Sequence, residues 1–372
     1  MAEALSLQQL KDALKSAGSP WEMDPQTEMA QLTEDERRIR LGFTPPPTEM
    51  SLEKAIAISD RAVVLSPSQI AAEATAIAAP TAYDLRDVGG KNFTTPVKNQ
   101  GGCGSCVAFG TIAVLETTAK FERSDPDLNL NLSEAEMFYC HAKEEGRNCS
   151  NGWWPDNAFK KAKEKGITFE EYFPYTAGDQ NCNLQGAWRD YQATPTGHGK
   201  LETRAAIKQW ISTHGSVTGC FIVYQDFFSY RSGVYQHVSG EAAGGHCVEI
   251  LGYNDAQGCW ICKNSWGSNW GEGGYFRIAY GQCNIESWSG PYGVDSVSLR
   301  MWAKDTRVTG LWTNHADRNA WAYLSGQGWR KLASTTNAVQ HTMLSQLITA
   351  KSANRRVDVL QENNEIRQLY VI

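Results

Sequence analysis

No run of about 18 consecutive apolar residues occurs in this chain, so no membrane-spanning helix is expected. A surplus of positive charge is also missing: 35 Lys and Arg stand against 41 Asp and Glu. That balance gives no reason to expect nucleic acid or an anionic membrane as partner. Met1-Ala2-Glu3-Ala4 has neither a basic stretch nor an apolar core, so no secretory leader is expected in the chain as it stands. Cysteine, by contrast, is plentiful. Ten are present, several at spacings that suit disulfides, and disulfides persist in oxidising compartments. A secreted or periplasmic protein is therefore expected, whose leader is already gone or whose export takes another route. Length allows two or three compact units in 372 residues.

One stretch organises the rest: Lys98-Asn99-Gln100-Gly101-Gly102-Cys103-Gly104-Ser105-Cys106-Val107-Ala108-Phe109. Cys106 stands where a glycine-rich loop becomes a helix running on through Ile112, Val114, Leu115 and Thr118. A thiol at a helix N-terminus feels the positive end of the dipole and its unpaired N–H groups, which favours the nucleophilic thiolate. The glycines let a substrate backbone approach, and Gln100 offers a side-chain amide near the same point, as an oxyanion stabiliser does. Taken alone, Cys103 and Cys106 also read as a CxxC redox or zinc pair. The downstream residues decide between these. Gly244-Gly245-His246 opens the apolar run from Cys247 to Tyr253, and Lys263-Asn264-Ser265-Trp266-Gly267 follows.

Cys, His and Asn in that order resemble the papain family of cysteine peptidases. The likeness covers roughly Thr81 to Tyr292 and rests on Pro96-Val97-Lys98-Asn99-Gln100-Gly101, on Gly-Gly-His at 244–246, and on Asn264-Ser265-Trp266-Gly267-Ser268-Asn269-Trp270-Gly271. Val223 to Val238 resembles the cathepsin B branch. The resemblance implies an α+β fold, with a helical half holding Cys106 and a β-barrel half holding His246 and Asn264. Helical signals first and strand signals later agree with it. A capping box at Ser133–Glu136 and a helix over Pro155–Lys163 precede strands at Val217–Tyr224, Gly233–His237, Cys247–Tyr253, Gly258–Ser265 and Gly274–Ala279.

Three parts are expected: an inhibitory pro-segment over 1–79, the peptidase domain over 80–298 and a small β-rich module over 299–372. In the first part, Leu7, Leu10 and Leu14 recur at helical spacing, Thr33–Glu36 is a capping box for a helix ending at Gly42, Pro45-Pro46-Pro47 is a stiff spacer, and Ser51 to Ile58 is another short helix. Part of residues 40–78 is expected to block the cleft near Cys106, with Trp21, Phe43 or Ile39 as apolar anchors. Ile70 to Ala79 is alanine-rich and offers few large side chains. The last part has strand-like stretches around Trp312, Trp321, Tyr323 and Trp329, a helix face at Met343, Leu344, Leu347 and Ile348, and a hairpin turn at Asn363-Asn364. A β-β-β-α-β-β order fits a small barrel of the OB kind. Its tryptophans either fill that barrel or, if exposed, suit a glycan or protein ligand.

The resemblance also assigns roles. Cys106 is the nucleophile of a thioester mechanism, His246 its ion-pair partner and acid, and Asn264 orients the imidazole. Trp266 shields that contact, and the Cys106 amide and Gln100 hold the oxyanion. Cys103 pairs with Cys149, and Cys140 with Cys182. Gly152, beside Trp153, hydrogen-bonds an extended substrate backbone. Trp154, Cys220, Gly245 and Trp288 line the pocket for the second residue before the scissile bond. Cathepsin B has an acidic residue where Trp288 stands, so apolar or aromatic residues are expected there and arginine is not. Val107 departs from the family's tryptophan, and Cys247 beside His246 is unusual. No histidine lies between Cys149 and Cys182, so the two-histidine loop behind dipeptide trimming is missing and an endopeptidase is expected. Cys259 and Cys262 have CxxC spacing inside an apolar strand pattern; no metal and no cofactor are expected. Protein or peptide substrates are the expected partners. An acyl transferase or ligase on the same fold, or a binding protein acting through its last module, are the alternatives.

Overall fold

The computed structural model describes residues 5–62, 64–66, 68–70, 79–333 and 336–372. Most of the alanine-rich stretch, 71–78, lies outside them. The chain divides into two units: residues 1–184 with 195–297, and residues 185–194 with 298–372. The second unit thus takes in a short earlier stretch besides the C-terminal residues. Among the described residues no helix is long and apolar enough to cross a membrane.

The first unit begins with helix α1 (Leu7–Ser16), closed at its start by a Ser6–Gln9 capping box, with Leu10 and Leu14 buried. Leu7, the third leucine of that pattern, is 44% exposed. Strand β1 (Trp21–Met23) follows. Helix α2 (Glu34–Arg38) has the expected Thr33–Glu36 box but ends before Gly42, because the chain there straightens to enter the cleft. Helix α3 (Leu52–Ser59) starts at the Ser51 cap, and strand β2 (Ala82–Asp84) opens the region resembling peptidases.

Helix α4 (Cys106–Glu122) is the axis of the helical half: every residue from Cys106 to Lys120 is buried. An apolar residue on every side is what a fully enclosed helix requires. Helical turns at Glu136–His141 and Ala142–Glu145 and helix α5 (Pro155–Lys165) complete that half. The β half contains β3 (Val217–Tyr224), β4 (Tyr230–Tyr235), β5 (Ala242–Asn254), β6 (Cys259–Lys263) and β7 (Tyr275–Ala279). They order as β1-β4-β7-β6-β5-β2, with β3 also on β5. Observed β4 starts earlier than the sequence pattern indicates, because pairing with β1, through Trp21↔Gly233, extends it.

The second unit is a barrel of β8 (Val297–Thr313), β9 (Ala320–Leu324), β10 (Gly328–Leu332), β11 (Arg356–Glu362) and β12 (Glu365–Val371), with helix α6 (Asn337–Ser352) between β10 and β11. Pairings run β8-β9-β10-β12-β11 and back to β8, so these five strands close into a ring. Its core holds Val308, Leu324, Leu332, Met343, Leu347, Val359 and Ile366. Of the predicted helix face, Met343 and Leu347 are buried, whereas Ile348 is 48% exposed. Asn363 and Asn364 both have positive φ, the geometry of a tight hairpin turn.

Candidate active site

Cys106 is the first residue of α4, and the preceding loop is pinned. Gly101 has a φ of +58°, Cys103 is bonded to Cys149, and the Gly104 amide donates to the Cys149 carbonyl at 2.9 Å. A second disulfide joins Cys140 to Cys182. The Gln100 side chain is buried and held at both ends. Ser265 Oγ donates to its Oε1 at 2.6 Å, while its Nε2 donates to the Cys103 carbonyl at 2.7 Å and to the Arg40 carbonyl at 3.0 Å. Ser265 was not singled out from sequence, although it sits inside the Asn-Ser-Trp motif.

The register Glu249↔Lys263 between β5 and β6 puts His246 and Asn264 at one end of the antiparallel pair. Asn264 Oδ1 accepts from His246 Nε2 at 2.8 Å and from the Ser265 amide at 2.8 Å. An amide oxygen can only accept, so Nε2 carries the proton and Nδ1 is the open, basic nitrogen. That Nδ1 is buried and has no hydrogen-bond partner among the described residues. The Trp266 ring lies 4.8 Å from the imidazole, and Phe227, Phe228 and Trp270 pack around Trp266.

Across this site runs the segment Arg40–Thr44. Phe43 N–H donates to the Gly245 carbonyl at 3.0 Å, Thr44 N–H to the Trp153 carbonyl at 3.0 Å, and Trp153 N–H to the Gly42 carbonyl at 2.8 Å. These bonds make a parallel bridge between Phe43 and Trp153. The Gly42 amide faces the Cys106 sulfur, as do those of Val107 and Cys247. Glycine is required on both walls. A Cβ on Gly42 would lie 1.8 Å from the Gly104 oxygen, and one on Gly152 would lie 1.9 Å from the Gly42 oxygen.

Phe43 is the anchor in the pocket. Its ring meets Trp288 edge-on at 4.6 Å, and a Cβ on Gly245 would meet both rings at 2.9 Å. Trp288 Nε1 donates to the Met50 carbonyl at 2.9 Å. Cys220, buried on β3, stands opposite Cys247. Trp154 is half-buried and carries the Arg147 guanidinium 4.3 Å above its ring; Trp153 Nε1 donates to Glu145 at 2.9 Å. The other two proposed anchors lie elsewhere. Trp21 is buried against Tyr230 and Tyr235, and Ile39 is 39% exposed. Sequence reasoning missed Gly42, whose only signal is a glycine between two apolar residues just ahead of three prolines.

Burial controls the charge of the site while this segment is in place. It pushes the Cys106 thiol up to about 12, reinforced by neighbouring Cys247 and only partly opposed by the facing amides. It also holds His246 down to about 4 against the Asn264 hydrogen bond. The closed site therefore favours a neutral thiol and imidazole, not the thiolate that the helix position alone predicts. Desolvation outweighs the dipole here because the sulfur is completely enclosed.

A thiol, a tethered imidazole and a buried amide donor, meeting under a strand of the same chain, define a nucleophilic hydrolase held in a covered state. The chain belongs to the papain family of cysteine proteases, whose sequence pattern matches residues 79–290. Cathepsin B-like CP2 of Giardia intestinalis is 35% identical over 221 residues, covering 56% of this chain and 72% of the relative. Pro-cathepsin H of Bos taurus is 34% identical over 209 residues, covering 55% and 61%. Among solved structures, procathepsin B S9 from Trypanosoma congolense superposes with a TM-score of 0.62 at 22% identity, over 79% of this chain and 99% of that one. The protein is thus a papain-like cysteine peptidase whose site is covered by a segment of its own chain.

Proposed function

We propose that the chain, once freed of residues 1–79, is an endopeptidase working through a Cys-His-Asn thioester mechanism. His246 Nδ1 takes the Cys106 proton, and the sulfur attacks the scissile carbonyl. Charge on the oxygen is met by the Cys106 amide and Gln100 Nε2. The imidazolium returns its proton to the leaving amine, which departs as the acyl group stays on sulfur. Water, activated by the same imidazole, then releases the acid and restores the thiol. Asn264 keeps Nδ1 turned inward, and Trp266 keeps water from the contact behind it.

The observation that carries this reading is the position of Arg40–Thr44. Its Arg40 carbonyl rests on the Gln100 amide while Phe43 fills the Trp288 pocket. The segment thereby uses two features a substrate needs, the oxyanion donor and the side-chain pocket. Phe43 in that pocket also supports a preference for aromatic or apolar residues at the second position before the cut. The two disulfides support an oxidising compartment.

The test compares intact and processed protein against matched fluorogenic peptides with Phe, Leu or Arg at that second position. Cleavage of the Phe and Leu peptides by the processed form, with Cys106 labelled by a thiol-directed epoxide, is the expected result. Equal activity of the intact chain, or faster cleavage after Arg, would overturn the respective part.

A further inference from the structure

The C-terminal barrel carries an aromatic platform. On β8, β9 and β10 the outward positions form two rows, Gly310–Tyr323–Trp329 and Trp312–Trp321–Lys331. Inward positions on the middle strand are Ala320, Ala322 and Leu324, all buried, so the large rings are not the barrel's filling. Trp312 is 47% exposed, Trp329 46% and Tyr323 39%. Tyr323 and Trp329 touch, so these exposed rings form a patch rather than scattered single side chains.

One geometric detail makes a platform of them. A Cβ on Gly310 would lie 3.1 Å from Trp329 Cη2 and 3.0 Å from Tyr323 Cβ. Gly310 and Trp329 are on strands separated by β9, so the indole reaches across the middle strand and covers the bare glycine. Tyr323 supports it edge-on, with centroids 5.4 Å apart. Beside it, Trp321 is fixed through Nε1 to Asn319 Oδ1 at 2.7 Å.

Charge narrows what such a surface takes. Residues 298–372 hold ten Lys and Arg against five Asp and Glu, whereas the whole chain is at −6. The barrel is thus the positive part of an acidic protein, and a polyanion is its electrostatic complement. Yet Lys331 is the one cation among the six platform positions. Single-stranded nucleic acid brings a phosphate with every base and calls for a cationic groove along its backbone. Sugar rings with apolar C–H faces and a carboxylate on only some units match three open rings beside one lysine better. We propose that this face binds a sparsely acidic polysaccharide, stacking its pyranose rings on Trp329 and Trp312 and pairing a carboxylate with Lys331.

The test titrates the full chain with hyaluronate, in which every second sugar carries a carboxylate, and follows tryptophan fluorescence. Neutral dextran and oligo-dT are run alongside, and peptide hydrolysis is measured in the same samples. Saturable hyaluronate binding, weaker dextran binding, and a roughly tenfold loss of affinity in Trp329→Ala are expected. Gly310→Val is expected to match that loss while keeping every ring, because the new side chain lifts the indole. Lys331→Gln should weaken binding and flatten its salt dependence. Circular dichroism checks the fold; should Trp329→Ala not fold, the other two variants decide. No saturable hyaluronate binding, parent-like affinity in the variants, tighter binding of oligo-dT, or a parent dimer that Trp329→Ala dissolves would each overturn the proposal. Peptide hydrolysis is read separately, so a failed peptidase reading leaves this outcome interpretable.

Discussion

Cys106 and His246 are both fully enclosed beneath Gly42 and Phe43, and that enclosure sets their response to pH. His246 is held near 4, below its ordinary 6.5, by burial. A depressed group stabilises the closed form above its unfolded value and loses that contribution as pH falls through the folded value. The Cys106 thiol, raised from 9.0 to about 12 by burial, contributes below pH 9.0 and loses its contribution as pH rises. Between them the two groups favour the closed form from about pH 6.5 to 9. His246→Ala is expected to abolish the acid-side loss, on the order of 3 kcal/mol between pH 6.5 and 4. Melting temperatures of parent and variant across that range test it, and parallel curves would refute it. At Gln100, loss of the amide donor should reduce kcat of processed protein by about 10²–10³. A substrate KM little changed separates this from a binding defect.

At the scale of elements, the extended segment ahead of Pro45 is the decisive piece. Its close approach depends on Gly42 facing Gly104 and Gly152. Gly42→Ala puts a methyl group into the Gly104 carbonyl, which neither backbone can yield without moving apart. We expect the uncleaved variant to hydrolyse peptides roughly tenfold faster than the uncleaved parent, since forced overpacking costs about 1–3 kcal/mol. Phe43→Ala should act in the same direction by emptying the Trp288 pocket. Unchanged activity in both would mean that other contacts of residues 5–62 hold the cleft shut. The strands were legible because β-branched and aromatic residues cluster between turn glycines; β3 has the limits its pattern gives, Val217–Tyr224. The ends of β4 and α2 were not, because pairing with β1 lengthens one and entry into the cleft shortens the other.

Across the first unit as a whole, the helical and β halves meet over buried charge. Lys98 pairs with Glu134 at 2.7 Å and lies 3.9 Å from Glu116, and Lys263 lies 3.6 Å from Glu249. Both Glu249 oxygens lack a hydrogen-bond partner among the described residues, so the Lys263 charge compensates them at long range. Lys263→Met leaves that carboxylate buried and unpaired, which should destabilise the protein by about 3–5 kcal/mol. Adding Glu249→Leu should restore most of the loss. Denaturant midpoints of the two single variants and the double variant check this, and an additive double variant would exclude the coupling.

Local chemistry in the chain determined a great deal by itself. The thiol after a glycine-rich loop, Gly-Gly-His ahead of an apolar strand, and Asn-Ser-Trp-Gly each need only a few neighbouring residues to be recognised. The β-β-β-α-β-β order of the last module follows in the same way from alternation and turn residues. Tertiary structure decided what depends on distant parts meeting. It selected Phe43 over Trp21 and Ile39 as the pocket's occupant, since all three are equally apolar in sequence and differ only in where the backbone carries them. It brought Ser265 onto Gln100, turned Trp312 and Trp329 outward rather than into the barrel, and pushed the Cys106 thiol toward its neutral form by burial. Solvent exclusion is a property of the assembled fold, and no stretch of sequence records it.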